Sequence, residues 1–250
     1  MKLLVVGLNF RSAADALLNR ASRGTTQAEV VLAELLASPE VAGAMVVSTC
    51  NRVEIYAAAQ SFHGALSDIG SVLAKRCDVP LPELAPGLYA HYADDAVRHV
   101  FTVASGLDSL VQGEHQILGQ LRAGYTTAIE SGTVTTLLHE VMSHALRLGK
   151  RVHSETDEAA GDPSMADAAL RLGVCQVGSL DGASAVIVGA GQMGELAAAA
   201  LRERGIAHLR VLSRSPARSR ALAERFGADS GDLTELAEAL SGADVVMCAT

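Results

Sequence analysis

Ser184-Ala185-Val186-Ile187-Val188-Gly189-Ala190-Gly191-Gln192-Met193-Gly194 is the run on which the fold turns. Its first five residues are small or β-branched and read as a buried strand. The G-x-G-x-x-G run that follows has a physical logic: the first glycine permits a tight turn, the second lets backbone approach a pyrophosphate, and the third lets helix pack on strand. A helix is expected over Glu195–Arg204 and a second strand over His208–Leu212, at the spacing of a βαβ unit. The second half of the chain therefore reads as a Rossmann domain that binds a dinucleotide. The end of the second strand narrows the choice. An NAD site wants a carboxylate there for the ribose 2′-hydroxyl. Ser213-Arg214-Ser215 stands there instead, with Arg218 a turn later. A guanidinium and two hydroxyls suit a 2′-phosphate, so the cofactor expected is NADPH. Its binding residues are Gly189, Ala190, Gly191, Gln192, Met193, Gly194, Ser213, Arg214 and Ser215.

The first half carries a second informative run, Ala44-Met45-Val46-Val47-Ser48-Thr49-Cys50-Asn51-Arg52-Val53-Glu54-Ile55-Tyr56. It begins as a buried strand and ends in alternation, with Val53 and Ile55 on one face and Arg52, Glu54 and Tyr56 on the other. Cys50 sits between two strands, amid polar groups, with a permanent cation two residues away. A nearby cation lowers a thiol's pKa and raises its reactive thiolate fraction, which makes Cys50 a candidate nucleophile. Around it, strands are expected at Leu3–Leu8, Ala44–Thr49, Val53–Ala59 and Leu88–Tyr92, with helices at Thr25–Leu36 and Phe62–Lys75. That order, βαββαβ, is of the ferredoxin-like split-βαβ type. Helices are then expected over Asp94–Ala104, Glu114–Glu130 and Val134–His153, followed by a polar break at Glu155–Pro163. The domains expected are a catalytic unit over 1–155 and a nucleotide unit over 156–250.

Composition sets the frame. The 250 residues suffice for two domains, and with aromatics at only 3% the packing falls to Ala, Val and Leu. The four cysteines form no zinc spacing and no CxxC pair, so no metal is expected and a reducing, cytoplasmic setting fits. No segment reads as a signal peptide or membrane span. The net charge of −8 gives no global field to draw in DNA. Locally, His144, Arg147, Lys150 and Arg151 share one helix face and form a basic stripe.

Four segments together resemble the glutamyl-tRNA reductase family: Ser48–Tyr56; Gly106-Leu107-Asp108-Ser109-Leu110-Val111-Gln112-Gly113-Glu114-His115-Gln116-Ile117-Leu118-Gly119-Gln120; Gly149-Lys150-Arg151; and Gly189–Gly194. The resemblance implies that Cys50 attacks the ester of glutamyl-tRNA and that NADPH reduces the resulting thioester to glutamate-1-semialdehyde, the entry to five-carbon tetrapyrrole synthesis. It implies a glutamyl pocket lined by Thr49, Asn51, Arg52, Ser109, Glu114, His115, Gln116 and Gln120, and gives His99 a place in activity. Partners implied are glutamyl-tRNA, the aminomutase that takes the semialdehyde, and a second copy bound through a C-terminal helical domain that this chain lacks. The residue chemistry is consistent with these roles. Arg52 can clamp a carboxylate by two parallel hydrogen bonds, and Glu114 can receive an α-ammonium. Gln116 and Gln120 lie one turn apart on the same side of a helix. His99 points away from the apolar row Val97, Val100, Phe101 and Ala104, so it is expected outside the core.

Two departures stand out. Asn9-Phe10-Arg11-Ser12-Ala13-Ala14 replaces the family's Asn-His-Lys-Thr-Ala-Pro, and Asp157–Pro163 replaces a glycine-rich hinge. The last residues, Asp244–Thr250, read as a further Rossmann strand with no continuation, which suggests a truncated nucleotide domain. Two other classes fit part of the chain. A shikimate-dehydrogenase-like oxidoreductase explains the NADP half but not Cys50, and a non-catalytic NADP-binding regulator has no need of an intact Cys50, Arg52, Glu114 and Gln120.

Overall fold

A computed structural model describes residues 1–111, 116–160 and 165–249. The chain divides into two compact units, Met1–Asp162 and Pro163–Thr250.

In the first unit, β1 (Lys2–Asn9) is followed by α1 (Asp15–Gly24), α2 (Ala28–Leu36), β2 (Val41–Ser48), β3 (Arg52–Ala59), α3 (Phe62–Cys77), the single turn α4 (Leu81–Leu84) and β4 (Tyr89–Tyr92). The strands form one antiparallel sheet in the order β2-β3-β1-β4, pairing Val6 with Ile55 and Val47 with Glu54. This is the ferredoxin-like arrangement that the strand order implies. Helix α1 stands where the sequence gives no helical signal. Only Leu18 and Ala21 are buried from its ten residues, too short a pattern to stand out against its polar neighbours. Three helices complete the unit: α5 (Asp94–Ala104), α6 (Gln116–Glu130) and α7 (Thr136–Ala160). The last runs seven residues past the expected end at His153, its apolar side buried through Leu138, Met142 and Ala145.

The outer edge of β2 is covered rather than open. Ala44 N donates to the Thr133 carbonyl at 3.0 Å, and the Thr133 hydroxyl donates to the Ala44 carbonyl at 2.8 Å. Beyond that turn, α6 lies so close that a Cβ on Gly124 would meet the Val46 carbonyl at 2.4 Å. Only glycine lets the helix backbone close over the strand there.

The second unit runs α8 (Met165–Val177), β5 (Ser184–Val188), α9 (Gln192–Glu203), β6 (His208–Ser213), α10 (Pro216–Phe226), β7 (Asp229–Asp232), α11 (Leu236–Ser241) and β8 (Val245–Cys248). Its sheet is parallel, in the order β7-β6-β5-β8. Alternation along β5 divides the core. Ile187 packs with Ala197 and Leu201, whereas Val186 and Val188 pack with Leu212 and Ala239. Helix α8 follows directly on the stretch that the sequence marks only as a polar break. Among the described residues, no helix is long and apolar enough to cross a membrane.

Candidate active site

Cys50 is held at the tip of the β2–β3 connection by its neighbours' hydrogen bonds. The Thr49 hydroxyl accepts from the backbone N–H groups of Asn51 and Arg52, each at 3.1 Å, while Thr49 N donates to the Arg52 carbonyl at 2.8 Å. A small polar residue before the cysteine thus builds the turn, and the thiol is left exposed. The cavity below it joins Thr49, Cys50, Asn51 and Arg52 with Ser109 and Gln120, and Leu110 and Ile117 add an apolar wall that no sequence signal singles out. Of the eight residues expected to receive the glutamyl group, five therefore meet in one place. Glu114 and His115 lie outside the described residues. Gln116 is not part of that lining; its buried Nε2 makes no hydrogen bond among the described residues.

The polar face of β3 is not solvated. All eight strand residues are buried, since helices cover both faces of the sheet. Glu54, fully buried, accepts hydrogen bonds from Arg52 Nη1 at 2.7 Å and from the Tyr56 and Tyr89 hydroxyls. His99 Nε2 sits 2.8 Å from the same carboxylate. Burial alone would push the Glu54 carboxyl up; the His99 hydrogen bond, the Arg52 charge and Tyr56 together hold it at about 2. Burial and Glu54 both raise Tyr89, so it stays a neutral donor.

The geometry corrects two expectations. Arg52 does not hold an open fork. One Nη1 hydrogen goes to Glu54, and Nη2 is occupied twice by Asp108, through its carbonyl at 2.7 Å and its carboxylate at 2.9 Å. A bidentate clamp on a substrate thus requires that Asp108 give way. His99 is not an outward-facing residue either. Its side chain is only 9% exposed and stacks on His91 with ring centroids 4.3 Å apart. The buried row of α5 is Ala96, Val100, Val103 and Ala104, and a residue three after Ala96 and four before Val103 flanks that row. Burial and the neighbouring His99 lower His91 in turn. No signal in the sequence marks Asp108 as the partner of Arg52, because 56 residues separate them.

The nucleotide site is a second cavity, of about 460 Å³, at the C-terminal ends of β5 and β6. Val188, Gly189, Ala190 and Gly191 form one side, and Ser213, Arg214, Ser215 and Arg218 the other. Gly189 has φ +121°, a conformation that L side chains rarely adopt, and nothing lies within 4 Å of where a Gly191 Cβ would stand. That leaves open space against backbone for a phosphate. A Cβ at Gly194 would come within 2.1 Å of the Gly189 carbonyl, so the third glycine lets α9 pack against the turn. The Ser213 hydroxyl accepts from Ser215 N at 3.2 Å and shapes the loop. Arg214 and Arg218 are exposed, and no carboxylate lines the cavity among the described residues. The residues present therefore fit a dinucleotide.

Elsewhere, His144, Arg147, Lys150 and Arg151 are all exposed on α7. Arg151 pairs with Glu155 at 2.7 Å, while Arg147 and Lys150 have no ion pair among the described residues. No cluster of His, Cys, Asp and Glu among the described residues is arranged to hold a metal.

Comparison with known proteins places this geometry. Residues 6–156 match the family described as glutamyl-tRNAGlu reductase, N-terminal domain. The chain belongs to the glutamyl-tRNA reductase family. Residues 171–250 match the shikimate/quinate 5-dehydrogenase family, which accounts for the dehydrogenase-like character of the second unit. The glutamyl-tRNA reductases of Salinispora arenicola and Salinispora tropica are each 47% identical over 251 aligned positions, covering 100% of this chain and 55% of theirs. The chain thus spans about half the length of these curated relatives. The solved structure of glutamyl-tRNA reductase from Methanopyrus kandleri is 31% identical, with a TM-score of 0.57, and the match covers 99% of this chain and 58% of that one. The second unit is a dinucleotide-binding Rossmann-type domain related to dehydrogenases.

Proposed function

We propose that this chain carries out the acyl-transfer and reduction chemistry of a glutamyl-tRNA reductase, using NADPH. The observation that carries the reading is the convergence on Cys50 of Thr49, Asn51, Arg52, Ser109 and Gln120, from segments about seventy residues apart. The Cys50 thiolate attacks the ester carbon of glutamyl-tRNA, the carbon–oxygen bond to the terminal ribose breaks, and that oxygen takes up a proton as the tRNA leaves. A thioester on Cys50 remains. Sulfur is suited to both halves of this chemistry, since a thiolate is a strong nucleophile near neutral pH and a thioester is reduced more readily than an ester. NADPH, when bound, supplies the hydride that releases the acyl group as glutamate-1-semialdehyde. Gln120 and Ser109 offer hydrogen-bonding groups to the glutamyl portion, and Leu110 and Ile117 limit the water that reaches the thioester.

The preference for NADPH over NADH rests on Arg214 and Arg218, which supply positive charge where an NAD site would place a carboxylate. Residues 1–155 are assigned to the substrate step and 156–250 to the cofactor. Substrate tRNA, the aminomutase that consumes the semialdehyde, and pairing with a second copy belong to the same reading.

The deciding experiment incubates the full-length protein with charged glutamyl-tRNA and then adds NADPH. A glutamyl adduct on Cys50 should form before NADPH arrives and disappear afterwards with appearance of the semialdehyde. The Cys50→Ser variant should give neither while still binding NADPH. Full turnover by the serine variant would end the reading.

A further inference from the structure

We propose that Asp108 is an internal stand-in for the substrate's side-chain carboxylate: it occupies the Arg52 fork until the glutamyl carboxylate exchanges with it. This inference rests on the reading of Cys50 as the glutamyl acceptor. Four observations on Asp108 and its arginines support it.

First, Asp108 is gripped from two sides, by Arg52 Nη2 at 2.9 Å on one oxygen and by Arg11 Nη1 on the other. A carboxylate between two guanidinium groups is the geometry with which a protein binds a free anion. Second, the grip lies at the wall of the Cys50 cavity. Arg52 lines it directly, and so do Ser109 and Leu110, the next residues after Asp108. Third, that cavity measures about 20 Å³, room for little more than one water. A glutamyl group enters only if the wall moves; of the wall outside helix and strand, Thr49–Asn51 form a turn tied by the Thr49 hydroxyl, which leaves Ser109 and Leu110 as the part freer to move. Fourth, of the two carboxylates on Arg52 only one can leave. Glu54 is 0% exposed and fixed by three further donors, whereas Asp108 is 20% exposed.

The exchange has an energetic logic. Arg52 has a side-chain exposure of 2%, and stripping such a cation of its partner is strongly unfavourable. Swapping one carboxylate for another keeps it neutralised throughout. The released Asp108 stays near Arg11, whose side chain is half exposed and stacked on Phe10 with 4.6 Å to the ring centroid. A substrate that ends in an amide offers no replacement charge, so opening the cavity leaves Arg52 short of one anion. Recognition of glutamyl over glutaminyl then arises from displacement of a resident carboxylate as well as from direct hydrogen bonding.

The test uses the full-length protein with a small glutamyl thioester as acyl donor and glutarate, which carries a carboxylate but no reactive acyl group, as a competitive ligand. Asp108→Asn keeps the shape and weakens the competitor, so KM for the donor and the inhibition constant for glutarate should both fall by roughly three- to tenfold. Arg11→Ala loosens the same grip from its exposed end and should shift both in the same direction by about twofold. Loss of a merely structural brace weakens binding, so the direction of change decides. Weaker or unchanged glutarate binding in a folded Asp108→Asn protein would overturn the exchange. Should that variant not fold, unchanged glutarate binding by Arg11→Ala would overturn it. Failure of the unaltered protein to form any adduct on Cys50 would instead sink the functional reading, and the exchange with it.

Discussion

Glu54→Gln removes the charge from a carboxylate that holds Arg52, His99, Tyr56 and Tyr89 together. The glutamine keeps one acceptor oxygen but turns an amide NH₂ toward groups that are themselves donors. Arg52 Nη1 loses its charged partner at 2.7 Å, in a site where neither side chain is more than 2% exposed. Removing one member of a buried pair costs about 3–5 kcal/mol. An independent route gives a similar size. Glu54 is held at about 2 against an ordinary value of 4.5, a difference of about 3 kcal/mol in favour of the folded, ionised state. Because the folded pKa is the lower one, this stability is complete above the unfolded pKa and is lost as pH falls toward the folded value. Urea unfolding at pH 7 and at pH 3, on both proteins, reads the effect. The variant should be less stable by about 3 kcal/mol at pH 7, and the gap should narrow by about 2 kcal/mol at pH 3, where the unfolded chain's carboxyl is protonated while the folded one is still largely ionised. Other carboxyl groups titrate alike in both proteins and cancel. A gap of under 1 kcal/mol, or one that does not change with pH, would refute the reasoning.

Arg214→Ala should weaken NADPH by roughly ten- to over a hundredfold and leave NADH nearly unchanged, as titration of cofactor fluorescence would register, since only the former carries the 2′-phosphate. Equal losses for both would make the arginine structural. Gly194→Ala puts a methyl group 2.1 Å from the Gly189 carbonyl. Calorimetry should show a lowered unfolding transition together with loss of NADPH binding, while Cys50 acylation persists. Replacing Arg147 and Lys150 by Ala should weaken tRNA and flatten its salt dependence by a slope of about 0.7–0.9 for each phosphate no longer neutralised, with reduction of a small glutamyl thioester spared. Unchanged tRNA affinity and salt slope would make the α7 stripe ordinary surface.

What the sequence disclosed and what it hid divide along the range of the interactions. The β5 strand, the glycine turn and the serines and arginine after β6 are local signals, each residue type demanded by backbone geometry or charge within a few positions. The same holds for the Thr49–Arg52 turn. The antiparallel order β2-β3-β1-β4 follows from element order alone. The fates of Arg52 and His99 do not. Both end in a network closed by Glu54 and by Asp108, and only tertiary packing of α5 against the sheet turns alternation on β3 into burial on both faces. A helical wheel misplaces His99 because the buried row of α5 centres on Ala96 and Val103 instead of Val97 and Phe101. The short α1 and the unforeseen α8 carry patterns too brief or too Ala-rich to separate from loop.

The covered edge of β2 has a consequence for a chain that folds as it is made. Ala44 and Thr133, which exchange two hydrogen bonds, are 89 residues apart. At a synthesis rate of about 5–20 residues per second, the strand waits about 4–18 s for its cover after it has emerged. Through that interval a β-edge rich in valine and the Cys50 thiol beside it stand open to other nascent chains and to oxidants. The assembly of α6 therefore closes the strand edge while the Cys50 thiol stays exposed, and conditions that stall translation between residues 50 and 133 should show as aggregates cross-linked through Cys50.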